Sequence, residues 1–305
     1  MPELPEVETV RRTVEPLIAN RTITGVSVGA FSGVIGAHEV GEFTARVTGR
    51  RFLAARRRAK YLLLDLDDGT SLMVHLRMTG ELAVVPHREG PLRFQHLALH
   101  LDDGTDLRYC DQRKFGRVLL LERREVRRLE RRFGPEPLGP KFTAQYLAEG
   151  FARRPGKVKS VIMDQEFIAG VGNIYADEAL FRARVHPGRS ARGLDVHEVR
   201  ALHRAIRGVL REGVERHGTT IQSFRDASGR EGQNQEHLCV YGLGDRAPCP
   251  RCGWPLERTV VGGRGTSFCP RCQRMPGDAR RMRLPRKREG TDGSAPSRGK
   301  AVTRN

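Results

Sequence analysis

The sequence predicts an α+β protein in which a helix caps an N-terminal β-sandwich, and a helical domain and a cysteine-bearing β-hairpin follow. Three observations predict this order. Apolar residues recur at helical spacing near the start, short β-rich runs fill residues 22 to about 121, and helical periodicity returns beyond a turn at 133–137. The chain has 305 residues, so two moderate domains plus an accessory element are expected.

The first helix is predicted over residues 5–17. Its apolar positions are Val7, Val10, Val14 and Leu17, which follow the spacing of one helical face. Pro5 is tolerated because the first turn of a helix has free backbone amides. The helix is therefore amphipathic and can cap a sheet.

The β-rich half contains the runs 60–66 and 71–76, which are separated by an Asp-Gly turn signal at 68–69. A second Asp-Gly pair lies at 103–104. Short strands with regular turn signals are typical of a β-sandwich or a flattened barrel.

The second half is predicted to be helical, with its longest helix over 196–214. A polar stretch within 219–244 has few apolar anchors and is expected to be a mobile loop. The predicted division is a β-sandwich domain over 1–133, a helical domain over 134–244, a metal finger over 245–275 and a basic disordered tail over 276–305.

The net charge of +18 and the pI near 10.6 make a polyanion the leading candidate partner. The tail does not account for this charge, because the first 275 residues hold 45 Lys and Arg against 33 Asp and Glu. No apolar run approaches the roughly 20 residues of a membrane span, and the charged first twenty residues lack the core of a signal peptide. The protein is expected to be a cytoplasmic monomer without membrane contact.

Four of the six cysteines form two Cys-x2-Cys knuckles separated by sixteen residues. The four are Cys249, Cys252, Cys269 and Cys272. Such spacing brings four thiolates around one tetrahedral zinc ion, and a site filled by four protein ligands is structural rather than catalytic. The segment between the knuckles resembles a hairpin with Arg264 at its tip, suited either to a DNA groove or to folding alone. Cys110 and Cys239 are expected to be core thiols.

The sequence Met1-Pro2-Glu3-Leu4-Pro5-Glu6 can carry chemistry if Met1 is removed, since Pro2 then has a free secondary amine. An α-amino group titrates near 7.7–8, so a useful fraction is nucleophilic at neutral pH. Glu3 and Glu6 could assist by proton transfer. From these residues alone, a proline-punctuated helix start with acids at its positive end is the favoured interpretation.

Six blocks of sequence and the zinc knuckles are similar to the formamidopyrimidine-DNA glycosylase (MutM) family, and the resemblance covers all but the tail. Besides the zinc knuckles, they are Pro2-Glu3-Leu4-Pro5-Glu6-Val7-Glu8-Thr9, Arg57-Arg58-Ala59-Lys60-Tyr61-Leu62, His75-Leu76-Arg77-Met78-Thr79-Gly80, Asp111-Gln112-Arg113-Lys114-Phe115-Gly116, Gly134-Pro135-Glu136-Pro137-Leu138 and Gly170-Val171-Gly172-Asn173-Ile174-Tyr175-Ala176-Asp177-Glu178.

The resemblance implies a helix-two-turn-helix domain, a structural zinc ion, double-stranded damaged DNA as the partner, and bifunctional base-excision repair chemistry. The enzyme would excise oxidised purines, 8-oxoguanine and formamidopyrimidines, through a proline Schiff base and then cut the strand by β,δ-elimination.

The resemblance also implies roles for individual residues. In catalysis, Pro2 would be the nucleophile, Glu3 the general acid, Lys60 a helper in the first elimination and Arg264 a helper in the second. In DNA binding, the implied residues are Met78, Arg113 and Phe115 as a wedge into the duplex, Lys159 in lesion handling, and Asn173 on a backbone phosphate. The residues alone favour core packing for Met78 and Phe115 and a surface position for Lys60, and a surface position is also open for Lys159.

Several positions depart from the family pattern. Gln112 replaces a common proline, Arg77 replaces a frequent glycine, and Phe94 stands where relatives commonly have a DNA-contacting histidine. The loop 228–241 resembles the lid over the flipped base, with Gln233 and Asn234 as an unusual tip.

Two alternatives stay open from the sequence. The sister endonuclease VIII type acts on oxidised pyrimidines with the same amine, but it usually begins Pro-Glu-Gly-Pro, where this chain has Leu4. The other is a catalytically silent DNA-binding or zinc-ribbon regulatory protein.

Overall fold

A computed structural model describes residues 1–276, and its N-terminal half contains two four-stranded antiparallel sheets. The eight strands are β1 (Ile23–Val28), β2 (Phe52–Arg58), β3 (Tyr61–Leu66), β4 (Ser71–His75), β5 (Gly80–Pro86), β6 (Gln95–Leu101), β7 (Thr105–Asp111) and β8 (Arg117–Leu121). One sheet has the order β1-β6-β7-β5 and the other β2-β3-β4-β8. Every neighbouring pair is antiparallel.

A single hydrophobic cluster draws side chains from both sheets. Leu62 and Leu64 of β3 contribute from one sheet, and Leu99 of β6 and Leu107 of β7 contribute from the other. Because the inner faces of two sheets share one core, the predicted β-sandwich is confirmed.

The first helix, α1 (Leu4–Ile18), confirms the helix predicted over 5–17. Val7, Val10 and Val14 are buried in the sandwich core, whereas Leu4 is buried in the core of the helical half. The helix therefore caps the sandwich and also joins the two halves of the molecule.

A second helix, α2 (Val40–Val47), interrupts the region that the sequence predicts as strands. Its Val, Gly and Thr residues are weak helix formers, so intrinsic propensity gives no signal for it. Phe43 and Val47 are four residues apart and fully buried, so packing against the sandwich stabilises this short helix.

The helix α3 (Arg123–Arg131) packs outside the sandwich, and the helical half of the chain begins after it. Its helices are α4 (Ala144–Arg153), α5 (Val158–Ile162), α6 (Asn173–Ala183) and α7 (Val196–Glu215). The last confirms the helix predicted over 196–214. Asp195 is the N-cap of α7, and its carboxylate accepts hydrogen bonds from the amides of His197 and Glu198 at 2.8 and 2.9 Å.

The chain's last two described strands are β9 (Glu257–Val261) and β10 (Arg264–Phe268), which confirm the predicted hairpin. Gly262 and Gly263 form its two-residue turn with φ of +58° and +73°, a conformation that favours glycine. The predicted tail lies, apart from Pro276, outside the described residues. Within residues 1–276, no helix combines the length and hydropathy needed to cross a membrane.

Candidate active site

The N-terminus of the chain is held by the loop that precedes α6. Glu3 is 2% exposed, and its carboxylate accepts hydrogen bonds from the amides of Gly172 at 2.7 Å and Ile174 at 2.9 Å. The amide of Leu4 donates to the Gly170 carbonyl at 3.1 Å. The first turn of α6 therefore fixes the position of a buried carboxylate beside Pro2.

Gly172 makes this approach possible. A Cβ atom at Gly172 would lie 2.3 Å from Cδ of Glu3, although the backbone there, with φ of −130°, is open to any residue. The glycine is required by space rather than by backbone conformation.

Glu6 forms the second buried carboxyl group. It accepts hydrogen bonds from the Glu3 amide at 2.8 Å and from the Tyr175 hydroxyl and Thr219 amide, both at 2.7 Å. Burial, and then the charge of Glu3, raise the pKa of Glu6. The three donors hold α1 and α6 in one arrangement and keep this carboxyl group from solvent.

Lys60 lies in a two-residue turn between β2 and β3, so β3 begins one residue later than the sequence predicts. Ala59, the other turn residue, has φ of +53°. The turn is anchored by Glu136, which accepts from the Ala59 amide at 2.8 Å and pairs with Arg57 and Arg58 at 2.7 and 2.9 Å.

Lys60 is 6% exposed, so the surface-lysine interpretation is wrong. Burial lowers the pKa of Lys60, and the charge of Arg264 acts in the same direction, while those of Glu3 and Glu6 oppose the shift. Because burial outweighs the two carboxylates, the Lys60 ammonium releases a proton more readily than that of a solvated lysine.

Arg264 reaches the site through the β9-β10 hairpin. Arg264, Lys60 and Glu3 all line a cavity of about 490 Å³. Asn173, also in this cavity, donates from Nδ2 to the Gly265 carbonyl at 3.0 Å and so joins the start of α6 to the hairpin.

Lys159 is fully buried, so the surface-lysine interpretation is wrong. Its Nζ lies 2.7 Å from a carboxylate oxygen of Asp177 and 2.7 Å from Oγ1 of Thr266. Asp177 also accepts from the Ser267 amide at 3.0 Å. The Lys159–Asp177 pair therefore fixes β10 against the helices, and the role of Lys159 in lesion handling stays a prediction.

Met78, Arg113 and Phe115 lie on two adjacent loops. Met78 is 42% exposed and Phe115 is 52% exposed, so the interpretation of both as core residues is wrong. The guanidinium of Arg113 lies 4.9 Å from the centre of the Phe115 ring. Asp111 joins the loops, because its carboxylate accepts from Thr79 Oγ1 at 2.5 Å and from the Arg113 amide at 3.1 Å.

A second cavity of about 250 Å³ adjoins the first, and Pro2, Glu6, Met78 and Arg113 are among its lining residues. The far wall is formed by Thr219, residues 221–224 and Tyr241. The lid predicted over 228–241 is therefore placed too far along the chain. Of its expected tip, Asn234 is folded inward, 5% exposed and donating to Thr219 Oγ1 at 2.9 Å, whereas Gln233 is exposed.

The backbone conformation at position 77 agrees with the glycine that is frequent there in the family. Arg77 has φ of +54°, in the left-handed region that favours glycine. Phe94 likewise has φ of +61°, and its side chain is 39% exposed. Gln112 is exposed beside Arg113. The exposed side chains of Phe94 and Gln112 are available to a ligand.

The four predicted zinc ligands converge. Their sulfur atoms all lie within 4.8 Å of one another. The Cys249–Cys272 and Cys252–Cys269 sulfur pairs are 3.9 and 3.5 Å apart, which fits the edge of about 3.8 Å of a tetrahedron with Zn–S bonds near 2.3 Å. The prediction of one structural zinc ion is confirmed. Cys110 is buried in the sandwich, as expected of a core thiol.

Sequence reasoning assigned no role to Gly172, Glu136, Asp111 or Asp177. All four residues lie in the sequence blocks quoted above, so those blocks were a signal that could have found them. Each of the four residues, however, acts by supporting another residue. Their partners come from distant parts of the chain, and such contacts follow only from the fold.

Models of three domains match most of the chain. They are the formamidopyrimidine-DNA glycosylase N-terminal domain over residues 1–118, the formamidopyrimidine-DNA glycosylase H2TH domain over 133–225, and a zinc finger found in FPG and IleRS over 247–274.

Individual relatives agree with these matches. The formamidopyrimidine-DNA glycosylase of Herpetosiphon aurantiacus is 46% identical over 273 residues, which cover 90% of this chain and 100% of that protein. The crystal structure of MutM (Fpg) from Thermus thermophilus superposes with a TM-score of 0.79 at 43% identity, covering 89% of this chain and 98% of that one. Lactococcus lactis Fpg in complex with DNA containing an abasic site has a TM-score of 0.84 at 32% identity, with coverage of 90% and 100%. The chain therefore belongs to the formamidopyrimidine-DNA glycosylase family.

Proposed function

We propose that this chain is a bifunctional DNA glycosylase and abasic-site lyase that excises oxidised purines from double-stranded DNA and then cleaves the strand. The observation that carries the proposal is that Pro2 lines one cavity while Glu3, its neighbour in the chain, lines the adjoining cavity together with Lys60 and Arg264. Family membership and the DNA complex of the Lactococcus lactis relative support DNA as the ligand.

The first step requires Pro2 as the N-terminal residue. Its secondary amine attacks C1′ of the damaged nucleotide, the base departs with a proton, and an iminium ion joins the sugar to the protein. Glu3 is the proposed proton donor for opening the sugar ring, and the α6 amides hold it in position.

The second step removes the C2′ proton, which the iminium makes acidic, and expels the 3′ phosphate. Lys60 is the proposed helper in this β-elimination, because burial lowers its pKa and thereby favours a neutral amine. Arg264 then assists δ-elimination by holding the departing 5′ phosphate with its planar guanidinium.

Removal of the target base from the stack leaves a gap in the duplex. Met78 and Phe115 are exposed apolar side chains that can fill it, and Arg113 can contact the unpaired partner base. The cavity of about 250 Å³ beside Pro2 is smaller than the roughly 300–1,000 Å³ of drug-sized sites, which suits a single base. The zinc ion has four protein ligands, so it supports the hairpin and leaves catalysis to the N-terminus.

Base release and strand cleavage should be measured on three matched duplexes, with 8-oxoguanine opposite cytosine, an oxidised pyrimidine, or a preformed abasic site. We expect the 8-oxoguanine duplex to lose its base and be cut. Preference for the pyrimidine would assign the chain to the endonuclease VIII type, and cleavage of none by protein shown to lack Met1 would indicate a silent DNA-binding protein.

Pro2→Gly should weaken base excision severely while DNA binding survives, because glycine leaves a primary amine and a less constrained N-terminus. Pro155→Gly is the matched control, since Pro155 is exposed and lines neither cavity. Equal activity of the two variants would contradict the assignment of Pro2.

A further inference from the structure

A second strongly basic surface lies on α3, outside the active site. A surface cavity of about 580 Å³ is lined entirely by arginines, and we call it the α3 arginine surface. Its members are Arg123, Arg124, Arg127, Arg128 and Arg131. All five are exposed, and within residues 1–276 none of their side chains forms a hydrogen bond or an ion pair.

The acidic residues of α3 do not neutralise this surface. Glu122 pairs with Arg46, and Glu130 pairs with Arg56 at 2.9 Å. Glu125 accepts from the Glu122 amide at 2.8 Å and closes the helix start. Within the described part of the chain, five adjacent positive charges are therefore left without a partner, a costly arrangement unless an anion binds.

The arginines are presented by a fixed element. Val126 and Leu129 on the opposite face of α3 pack against Leu63 and Met73 of the sandwich. Because this apolar face is buried, the arginine face is directed to solvent.

The start of this surface lies away from the catalytic cavities, whereas its end approaches them, because Arg131 stands two residues before Phe133, which lines the cavity that holds Lys60. His75, at one end of β4, lines the cavity that holds Lys60. Ser71, at the other end, shares a surface cavity with Arg123 and Arg127. His75 is four residue steps along β4 from Ser71, so the two residues lie about 14 Å apart at roughly 3.4 Å per step. The first turns of α3 therefore lie at the end of the sheet away from the active site.

We propose that the α3 arginine surface binds the phosphate backbone of a second DNA segment while the active site holds the first. The inference rests on the proposed function, which makes DNA the protein's ligand. Two bound segments would let the protein pass from one duplex to another without dissociating fully.

The chemistry favours a phosphate backbone over an acidic protein. In protein interfaces arginine acts together with aromatic anchors in a desolvated centre, whereas the cavity on α3 has only exposed guanidinium groups. Backbone binding needs cations alone. Arg124 to Arg131 extends about 10.5 Å along the helix, which matches about three phosphates at 3.4 Å per strand position.

The test uses the full chain with one equivalent of a short duplex carrying a non-cleavable tetrahydrofuran abasic analogue. A fluorescent undamaged duplex is then titrated between about 50 and 200 mM salt, a range over which backbone contacts weaken strongly. Anisotropy gives affinity, and sedimentation counts the duplexes on each chain. We expect a second duplex to bind.

The variant is Arg123→Gln/Arg124→Gln/Arg127→Gln, in the first turns of α3, since glutamine preserves helix propensity. The control, Arg200→Gln/Arg204→Gln/Arg211→Gln, removes the same charge from exposed positions on α7. The α3 variant should bind the second duplex at least tenfold more weakly, with a salt slope lower by about 2.7. Its affinity for the abasic duplex and its excision rate should be unchanged.

Equal losses in both triple variants would overturn the proposal, because net charge would then explain the binding. Absence of a second duplex on the wild-type complex, or preference for poly-glutamate over DNA, would also overturn it. Failure to bind the abasic duplex itself would instead count against the proposed function.

Discussion

The substitution Gly172→Ala tests how tightly the fold positions the proposed acid. A Cβ atom at residue 172 would lie 2.3 Å from Cδ of Glu3, so the carboxylate must move by roughly 1 Å to reach ordinary van der Waals contact. That movement also breaks the 2.7 Å hydrogen bond from the residue 172 amide, a charged bond worth about 2 kcal/mol. Because a misplacement of about 1 Å can cost 100-fold in rate, we expect base excision to slow by about 100-fold.

The assay is single-turnover release of 8-oxoguanine, with DNA binding and the free energy of unfolding measured on the same preparation. Gly193→Ala is the control, because a Cβ there meets no atom within 4 Å. The reasoning is refuted if Gly172→Ala folds, binds DNA and excises the base at a rate within threefold of the control.

Three further predictions follow from the geometry. Cys269→Ala should reduce bound zinc from one ion per chain to none and abolish DNA binding; elemental analysis showing retained zinc would contradict the four-ligand site. Lys60→Met should slow strand cleavage and raise the free energy of unfolding at pH 7. Burial lowers the pKa of Lys60, so the buried ammonium lowers the free energy of unfolding at pH values below that lowered pKa. This cost disappears as pH rises toward the pKa of the unfolded chain, near 10.5. Denaturation at several pH values should show the difference in the free energy of unfolding between Lys60→Met and the unsubstituted protein closing as pH rises. A constant difference would be inconsistent with the lowered pKa. Phe115→Ala should change the free energy of unfolding by no more than about 0.5 kcal/mol, because the ring is 52% exposed. Excision should nevertheless fall at least tenfold, and unchanged single-turnover excision would argue against the wedge.

Periodicity and spacing predict much of the fold. The apolar stripes of α1 and α7 and the two cysteine knuckles are local signals, and the structure has each feature where the sequence places it. The helix α2 has no such signal, because two buried residues stabilise it against weak propensity.

The site is less accessible to sequence reasoning. Lys60 and Lys159 are charged residues that composition rules place at the surface, yet both are buried by partners distant in sequence. The wall of the smaller cavity was assigned to the wrong part of its loop, because polar composition does not show that Asn234 folds inward onto Thr219. The domain boundaries, the monomeric state and the cytoplasmic location stay predictions.

The central claim is that Pro2 attacks the sugar of a damaged purine nucleotide. Borohydride trapping on a duplex with one 8-oxoguanine opposite cytosine, followed by mass spectrometry of the cross-linked peptide, tests it most directly. We expect a covalent adduct on the Pro2 nitrogen of protein that lacks Met1. An adduct on Lys60 or another lysine, or no adduct from such protein, would contradict it.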